Sequence, residues 1–423
     1  MSKEKDAYKL RWQPPPRPDW VQRLNEEGYC MDIRGVVPLD EDSLIHSAMA
    51  ATGLSDFGGD EWREPFRVLI RALEDESGLN LMGRLWARHE ILLLLQARLQ
   101  IEDTYKRHPE IADEEISQPI IILGQGRSGT SFLQNTLTAN PDNKSLLQWE
   151  AMFPCPPPEQ ASYETDPRIE QADRIANRWN RVIPTMVSMH EWNGRVPQEC
   201  CEIMALAFMA PSWLGLLGQV PGYDAYMLKQ DYTPALAYHK RALKLLQWKN
   251  PRKHWVLKDT QHMDRLALVL KTYPDALFIW THRDPVRAFA SVVSLIGTTQ
   301  WSRCDQPFSV GGYEFVTDIG FSAARLNAVI DQLEAGAVPP RQLYNLLYKD
   351  LISDPVGSIE RIYRHFGIEL SDAGRRAMVG HLAVNPRDSR PSHKVDMGTP
   401  EDVARARNAY SRYQAHFAIP DEA

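Results

Sequence analysis

Apolar residues recur at helical spacing along the first hundred positions. After Asp60, the residues Phe66, Leu69, Ile70 and Leu73 fall three or four apart, and Leu79, Leu85, Ile91, Leu95 and Leu99 continue the rhythm. This predicts two amphipathic helices, each burying one face. An acidic, proline-bounded link from His108 to Pro119 then changes the texture, and a boundary near Ser117 follows from it. Beyond that point short, uniformly apolar runs alternate with helical stretches. Ile120 to Leu123 precedes a helix from Gly129, Trp255 to Leu257 one from His262, Leu277 to Trp280 one from Pro285, and Leu343 to Leu347 one from Pro355. Buried strands joined by crossover helices make a parallel sheet with helices on its faces. The expected fold is therefore α/β: a P-loop-like parallel sheet flanked by helices over residues 117–423, with a helical N-terminal extension over 1–116. Ligands of such sheets sit outside the C-terminal ends of the strands.

Composition refines this picture. The chain has 423 residues, 43% hydrophobic and 24% charged, which is ordinary globular usage and excludes a disordered or collagen-like chain. The net charge of −7 argues against a binder of duplex nucleic acid. Residues 1–116 hold 15 basic and 23 acidic residues, so almost all of the negative charge is N-terminal, whereas residues 241–290 hold 10 basic against 4 acidic. The C-terminal part therefore carries a local site for an anion. Five cysteines (Cys30, Cys155, Cys200, Cys201, Cys304) show neither disulfide nor zinc spacing, and the first residues lack the apolar core of a secretory signal. A reducing, cytoplasmic location is expected, with no metal. The uncharged stretch from Ile203 to Tyr223 is broken by Pro211-Ser212 and glycines, and reads as two buried helices, not a transmembrane segment.

The densest chemistry lies in Gly124-Gln-Gly-Arg-Ser-Gly-Thr-Ser131, between the run Ile120 to Leu123 and a helix. A glycine-rich turn at a helix N-terminus offers backbone N–H groups and the positive end of the helix dipole to a phosphate. Gly124, Gly126 and Gly129 also spell GxGxxG, with Glu150 standing 21 residues beyond Gly129, which keeps a nicotinamide-dependent oxidoreductase open as an alternative. The string nearly matches a Walker A loop, but Thr130 occupies the lysine position. Arg127 supplies a cation from inside the loop instead.

The segment Arg127-Ser-Gly-Thr-Ser131 resembles the 5′-phosphosulfate loop of sulfotransferases that use 3′-phosphoadenylyl sulfate (PAPS). Leu277-Phe-Ile-Trp-Thr-His-Arg-Asp-Pro285 with Ser291 is similar to that family's 3′-phosphate segment. The runs Trp149-Glu150 with Pro154, Leu257-Lys258 with His262, Tyr348-Lys-Asp-Leu351 and Thr52-Gly-Leu-Ser-Asp-Phe-Gly58 extend the likeness to its large bacterial branch. The resemblance implies the sulfotransferase fold and transfer of a sulfuryl group from PAPS, leaving adenosine 3′,5′-bisphosphate, to a hydroxyl or amine of a small-molecule, lipid or carbohydrate acceptor. It implies cofactor contacts from Arg127, Ser128, Gly129, Thr130, Ser131, Arg283, Ser291 and Tyr348. Arg127 and Lys258 would stabilise the leaving oxygen. Glu150 is the first choice of base and His190, before Pro197-Gln198-Glu199, the second; a salt bridge from Glu150 to Arg127 is the competing structural role.

The sequence departs from the family in three places. Gly126 replaces the proline usual before the loop arginine, Thr260 replaces the proline expected after the strand-end lysine, and Arg387 to Gly398 matches poorly, leaving Arg387, Arg390 and Lys394 as bare candidates for phosphate contacts. The Ile203 to Tyr223 stretch, with Trp179 and Trp192, is read as core in preference to an acceptor pocket. The apolar N-terminal helices suit a homodimer contact as well as a lid. A non-catalytic nucleotide-regulated binding module is the third function class.

Overall fold

The computed structural model describes residues 7–386, 393 and 395–422. Five strands form one wholly parallel sheet: β1 (Ile120–Gly124), β2 (Asn143–Ser145), β3 (His254–Lys258), β4 (Leu277–His282) and β5 (Leu343–Leu347), in the order β2-β3-β1-β4-β5. β1 is central. Its Ile121 lies opposite Leu257 on one side and Phe278 on the other, so the ends of β1, β3 and β4 stand next to each other at one edge. Every residue of β1 and β4 is buried, as the apolar runs predict, whereas the edge strand β5 is mostly half-exposed. The three-residue β2, Asn-Lys-Ser, has no apolar pattern and pairs only with β3, which is why it escapes a reading of hydrophobic runs.

Six helices frame the site: α1 (Arg63–Asp75), α2 (Leu81–Arg107), α3 (Thr130–Thr138), α4 (Gln148–Met152), α5 (Pro285–Trp301) and α6 (Pro400–Phe417). The first two are the amphipathic pair legible in the sequence. α1 buries Phe66, Leu69, Ile70 and Leu73. These join one continuous apolar core with Leu95 and Leu99 of α2, Leu123 of β1 and Leu257 of β3. At Gly83 of α2 an added Cβ would lie 2.0 Å from the carbonyl oxygen of Arg303, so the helix touches the backbone just beyond α5. Glycine is required there because any side chain would force the two apart.

The uncharged stretch is a chain of short helical turns and not two helices: Cys200–Met204, Ala205–Ala207, Pro211–Leu214, Gly215–Leu217 and Pro221–Met227. Prolines begin the turns at 211 and 221, where a missing N–H costs nothing and the preceding turn cannot continue. The bent pair Cys200–Ala207 and Pro211–Leu217 turns by 98°, and among the described residues no single helix is long and apolar enough to cross a membrane.

Candidate functional site

The loop between β1 and α3 owes its shape to two glycines and one serine. Gly124 (φ +148°) and Gly129 (φ +95°) adopt conformations that side chains disfavour, and a Cβ on Gly129 would lie 2.8 Å from the Tyr348 ring. Ser128 is buried; its hydroxyl donates to the Gln125 carbonyl and lies 2.7 Å from Thr281 Oγ1 on β4. It staples the loop to the sheet. The first turn of α3 leaves backbone N–H groups without intrahelical partners, and Gly129, Thr130 and Ser131 line the adjoining cavity.

Arg127 sits in the same loop at φ +73°, unusual for any residue but glycine. Its Nε donates to Ser291 Oγ on α5 at 3.0 Å. Burial, and then the Arg283 guanidinium nearby, lower its pKa from the ordinary value, an arrangement that favours an anion between the two arginines. Arg283, directly after β4, donates to the Arg127 carbonyl at 3.0 Å and lies over the Tyr348 ring at 4.2 Å. Arg127 thus joins Arg283 to Ser291, which stands eight residues further along the chain.

Lys258 ends β3 fully buried. Its Nζ donates to Ser131 Oγ at 2.9 Å and lies 3.2 Å from Glu199 Oε1. The neighbouring Asp259 is pushed up to about 7, first by burial and then by the Glu199 charge.

Two compartments open from this cluster. A polar one of about 670 Å³ is walled by Arg287, Ser291 and His393, whose ring nitrogens lie 3.2 Å from Ser291 Oγ and 3.0 Å from Ser294 Oγ. Burial, and then Arg127, lower the His393 pKa to about 4, so it is neutral there. The other, of about 360 Å³, is walled by Trp179, Met186, Trp192, Trp213, Leu216 and Leu295, with Glu199 and Glu202 among them. Arg127, Ser131, His190, Arg283 and Tyr348 line both. Burial raises the Glu202 pKa to about 8, although Gln148 Nε2 donates to it at 2.8 Å. Trp179 and Trp192 stack at 5.0 Å with their planes 13° apart, and the His190 ring centre lies 4.5 Å from that of Trp192.

The expected site residues thus separate. Arg127, Gly129, Thr130, Ser131, His190, Arg283, Ser291 and Tyr348 line one or both compartments, and Lys258 reaches them through Ser131. Glu150 is not brought there. It lies on α4 with no exposed surface, accepting from Lys144 Nζ at 2.8 Å and from the Leu147 amide at 3.0 Å. It caps its own helix and neutralises a buried lysine, and its partner is Lys144, not Arg127. Trp179, Trp192 and Trp213, expected as core, do pack in or against the core and also wall a cavity, while Ile203 to Ala210 is core as expected. Arg387, Arg390 and Lys394 lie outside the described residues. Sequence reasoning misses Arg287, His393 and Glu199; only Glu199 carries a signal, standing within the Pro-Gln-Glu segment that points to His190. Among the described residues no group of three or more His, Cys, Asp or Glu side chains is placed to hold a metal ion.

Residues 119–372 match the model of the sulfotransferase family. A curated relative, the omega-hydroxy-beta-dihydromenaquinone-9 sulfotransferase of Mycobacterium bovis, is 24% identical over 261 residues; the match spans 59% of this chain and 63% of the relative, less than two thirds of its length. The Mycobacterium tuberculosis protein of the same name matches equally. Among solved structures, sulfotransferase STF1 from Mycobacterium tuberculosis superposes with a TM-score of 0.72 at 29% identity, covering 88% of this chain and 98% of that one. Sulfotransferase STF9 from Mycobacterium avium gives 0.76 at 24% identity, covering 90% and 97%.

Proposed function

The chain belongs to the sulfotransferase family, and from that premise we propose that it moves a sulfuryl group from PAPS to a hydroxyl of an apolar, lipid-like or aromatic acceptor. One observation carries the reading: a polar, arginine-walled compartment and a tryptophan-walled one meet across a shared wall of Arg127, Ser131, His190, Arg283 and Tyr348. A doubly phosphorylated donor fits the first and a flat or chain-like apolar molecule the second.

The residues present suit the donor. The α3 N-terminus with Thr130 and Ser131 would hold the 5′-phosphosulfate end, and Arg127, Arg283 and Ser291 the 3′-phosphate. PAPS would supply the sulfuryl group on an activated bridging oxygen. In the transfer, a bond forms from the acceptor oxygen to sulfur while the bond from sulfur to the bridging oxygen breaks. His190, on the shared wall, takes the acceptor proton, a task to which imidazole is suited near neutrality. Lys258, held by Ser131 and Glu199, stabilises charge on the departing oxygen. Glu199 is engaged by that lysine and acts as its anchor. The tryptophan walls exclude water, which would otherwise compete as acceptor.

The nicotinamide alternative loses its acid: Glu150, which would bind a ribose hydroxyl, is spent on Lys144 inside the protein. Calorimetry with adenosine 3′,5′-bisphosphate and with NADH tests the choice, the first binding and the second not. Binding of NADH alone overturns the proposal. A screen of lipid and phenol extracts with radiolabelled PAPS then identifies the acceptor.

A further inference from the structure

Arg283 has an internal partner at the far end of the chain. The carboxylate of Glu422 accepts from its Nε and NH2 at 2.7 Å each, the two-pronged geometry in which guanidinium also takes phosphate. The same carboxylate lies 3.6 Å from Nε of Arg287, so it sits between two arginines that wall the polar compartment.

The tail is strapped in place by a second set of contacts. The Glu422 amide donates to Asp284 Oδ2 at 2.8 Å, Arg407 of α6 grips Asp284 at 2.6 and 2.7 Å, and Arg407 also lies 2.9 Å from Asp421. Asp284 is the residue that caps α5, so the strap crosses the start of the helix that carries Ser291. The strap is accessible to exchange: Glu422 is 28% exposed on its side chain.

A guanidinium has five N–H donors. Glu422 takes two on the edge best suited to an oxyanion, and the Arg127 carbonyl takes one. An anion that takes Arg283 through its Nε–NH2 edge must therefore displace the carboxylate. We infer that Glu422 is a built-in competitor for the anion site at Arg283, an autoinhibitory contact that the second phosphate of a bisphosphorylated nucleotide must open. The inference rests on the proposed nucleotide donor and adds regulation of the same site. Events that weaken the strap, such as charge neutralisation at Asp421 or Glu422, raise nucleotide affinity.

The test is calorimetric titration of the full chain, wild type and Glu422→Gln, with adenosine 3′,5′-bisphosphate and with adenosine 5′-phosphate, which lacks the second phosphate. Thermal melting confirms that the variant is folded, and a chain lacking residues 420–423 provides a second variant. The expected result is about tenfold tighter bisphosphate binding in both variants, with adenosine 5′-phosphate unchanged. Equal or weaker bisphosphate binding in the variants overturns the inference and makes Glu422 a residue that positions Arg283. An equal gain for both nucleotides overturns it too, since the effect then lacks dependence on the second phosphate. If neither nucleotide binds any of the three proteins, the nucleotide donor itself falls and the competitor role with it. Binding by the variants alone supports both.

Discussion

Nε of Arg127, in the loop after β1, donates to the hydroxyl of Ser291, on the helix after β4, across 3.0 Å. Two segments 164 residues apart thereby meet at the wall of the polar compartment, with a second cation, Arg283, against the Arg127 carbonyl.

Replacing Arg127 by alanine is expected to weaken adenosine 3′,5′-bisphosphate binding by about ten- to a hundredfold, the range for a lost charged hydrogen-bond donor. Ser291→Ala removes a neutral partner and is expected to cost a few-fold, on the order of 1 kcal/mol. Calorimetry at one fixed ionic strength distinguishes the two, and equal losses would contradict the assignment of charge to Arg127.

Lys258→Met is expected to slow single-turnover transfer from radiolabelled PAPS by about 10²- to 10³-fold, as for the loss of one preorganised donor at a developing charge. Bisphosphate affinity should move far less, because Lys258 touches the site through Ser131. Rate and affinity falling together would place the lysine in binding instead.

Glu150→Gln and His190→Gln separate a buried ion pair from a base. The Lys144–Glu150 pair has 3% and 0% exposure, and stranding the lysine is expected to cost about 3–5 kcal/mol of stability in denaturant unfolding. Turnover per folded molecule should persist in that variant. His190→Gln is expected to keep its stability and lose about 10²- to 10⁴-fold in turnover.

Glu202 carries a pH signature. Burial first, with the charges of Glu199 and Glu90, raises its pKa to about 8 against the opposing pull of Gln148 and Lys258. The unfolded carboxyl releases its proton near its ordinary 4.5, whereas the folded one holds it until about 8. Between these values the folded state binds more protons, so this residue's contribution to stability falls as pH rises and levels off above about 8. Glu202→Gln should therefore gain on the wild type by on the order of 1 kcal/mol per pH unit across that window. Melting curves at pH 5 and pH 8 measure it, and a constant difference would refute the buried acid.

Legibility in the sequence follows locality. The loop Gly124 to Ser131 announces itself because its glycines, cation and hydroxyls are consecutive, and β1, β3 and β4 because buried parallel strands are largely apolar, while the half-exposed β5 is legible only through its leucines. Glu150 is misread because position along the chain does not reveal that Lys144, six residues earlier, has its side chain buried against it. The tryptophan wall is unreadable for the same reason: Trp179, Trp192 and Trp213 are as apolar in a core as around a cavity, and only their stacking in space decides. Glu422 lies 139 residues from Arg283, and no periodicity links them.

Position 127 sets chemistry against conformation. At φ +73° a glycine would rest without strain, and arginine carries a backbone cost of about 1–2 kcal/mol to stand there. Substitution to glycine would relieve that cost but lose the buried guanidinium's hydrogen bonds to Ser291 and to the Met189 carbonyl. Those two bonds hold the arginine where its backbone alone would not rest, so side-chain anchoring and conformational strain oppose each other at one residue.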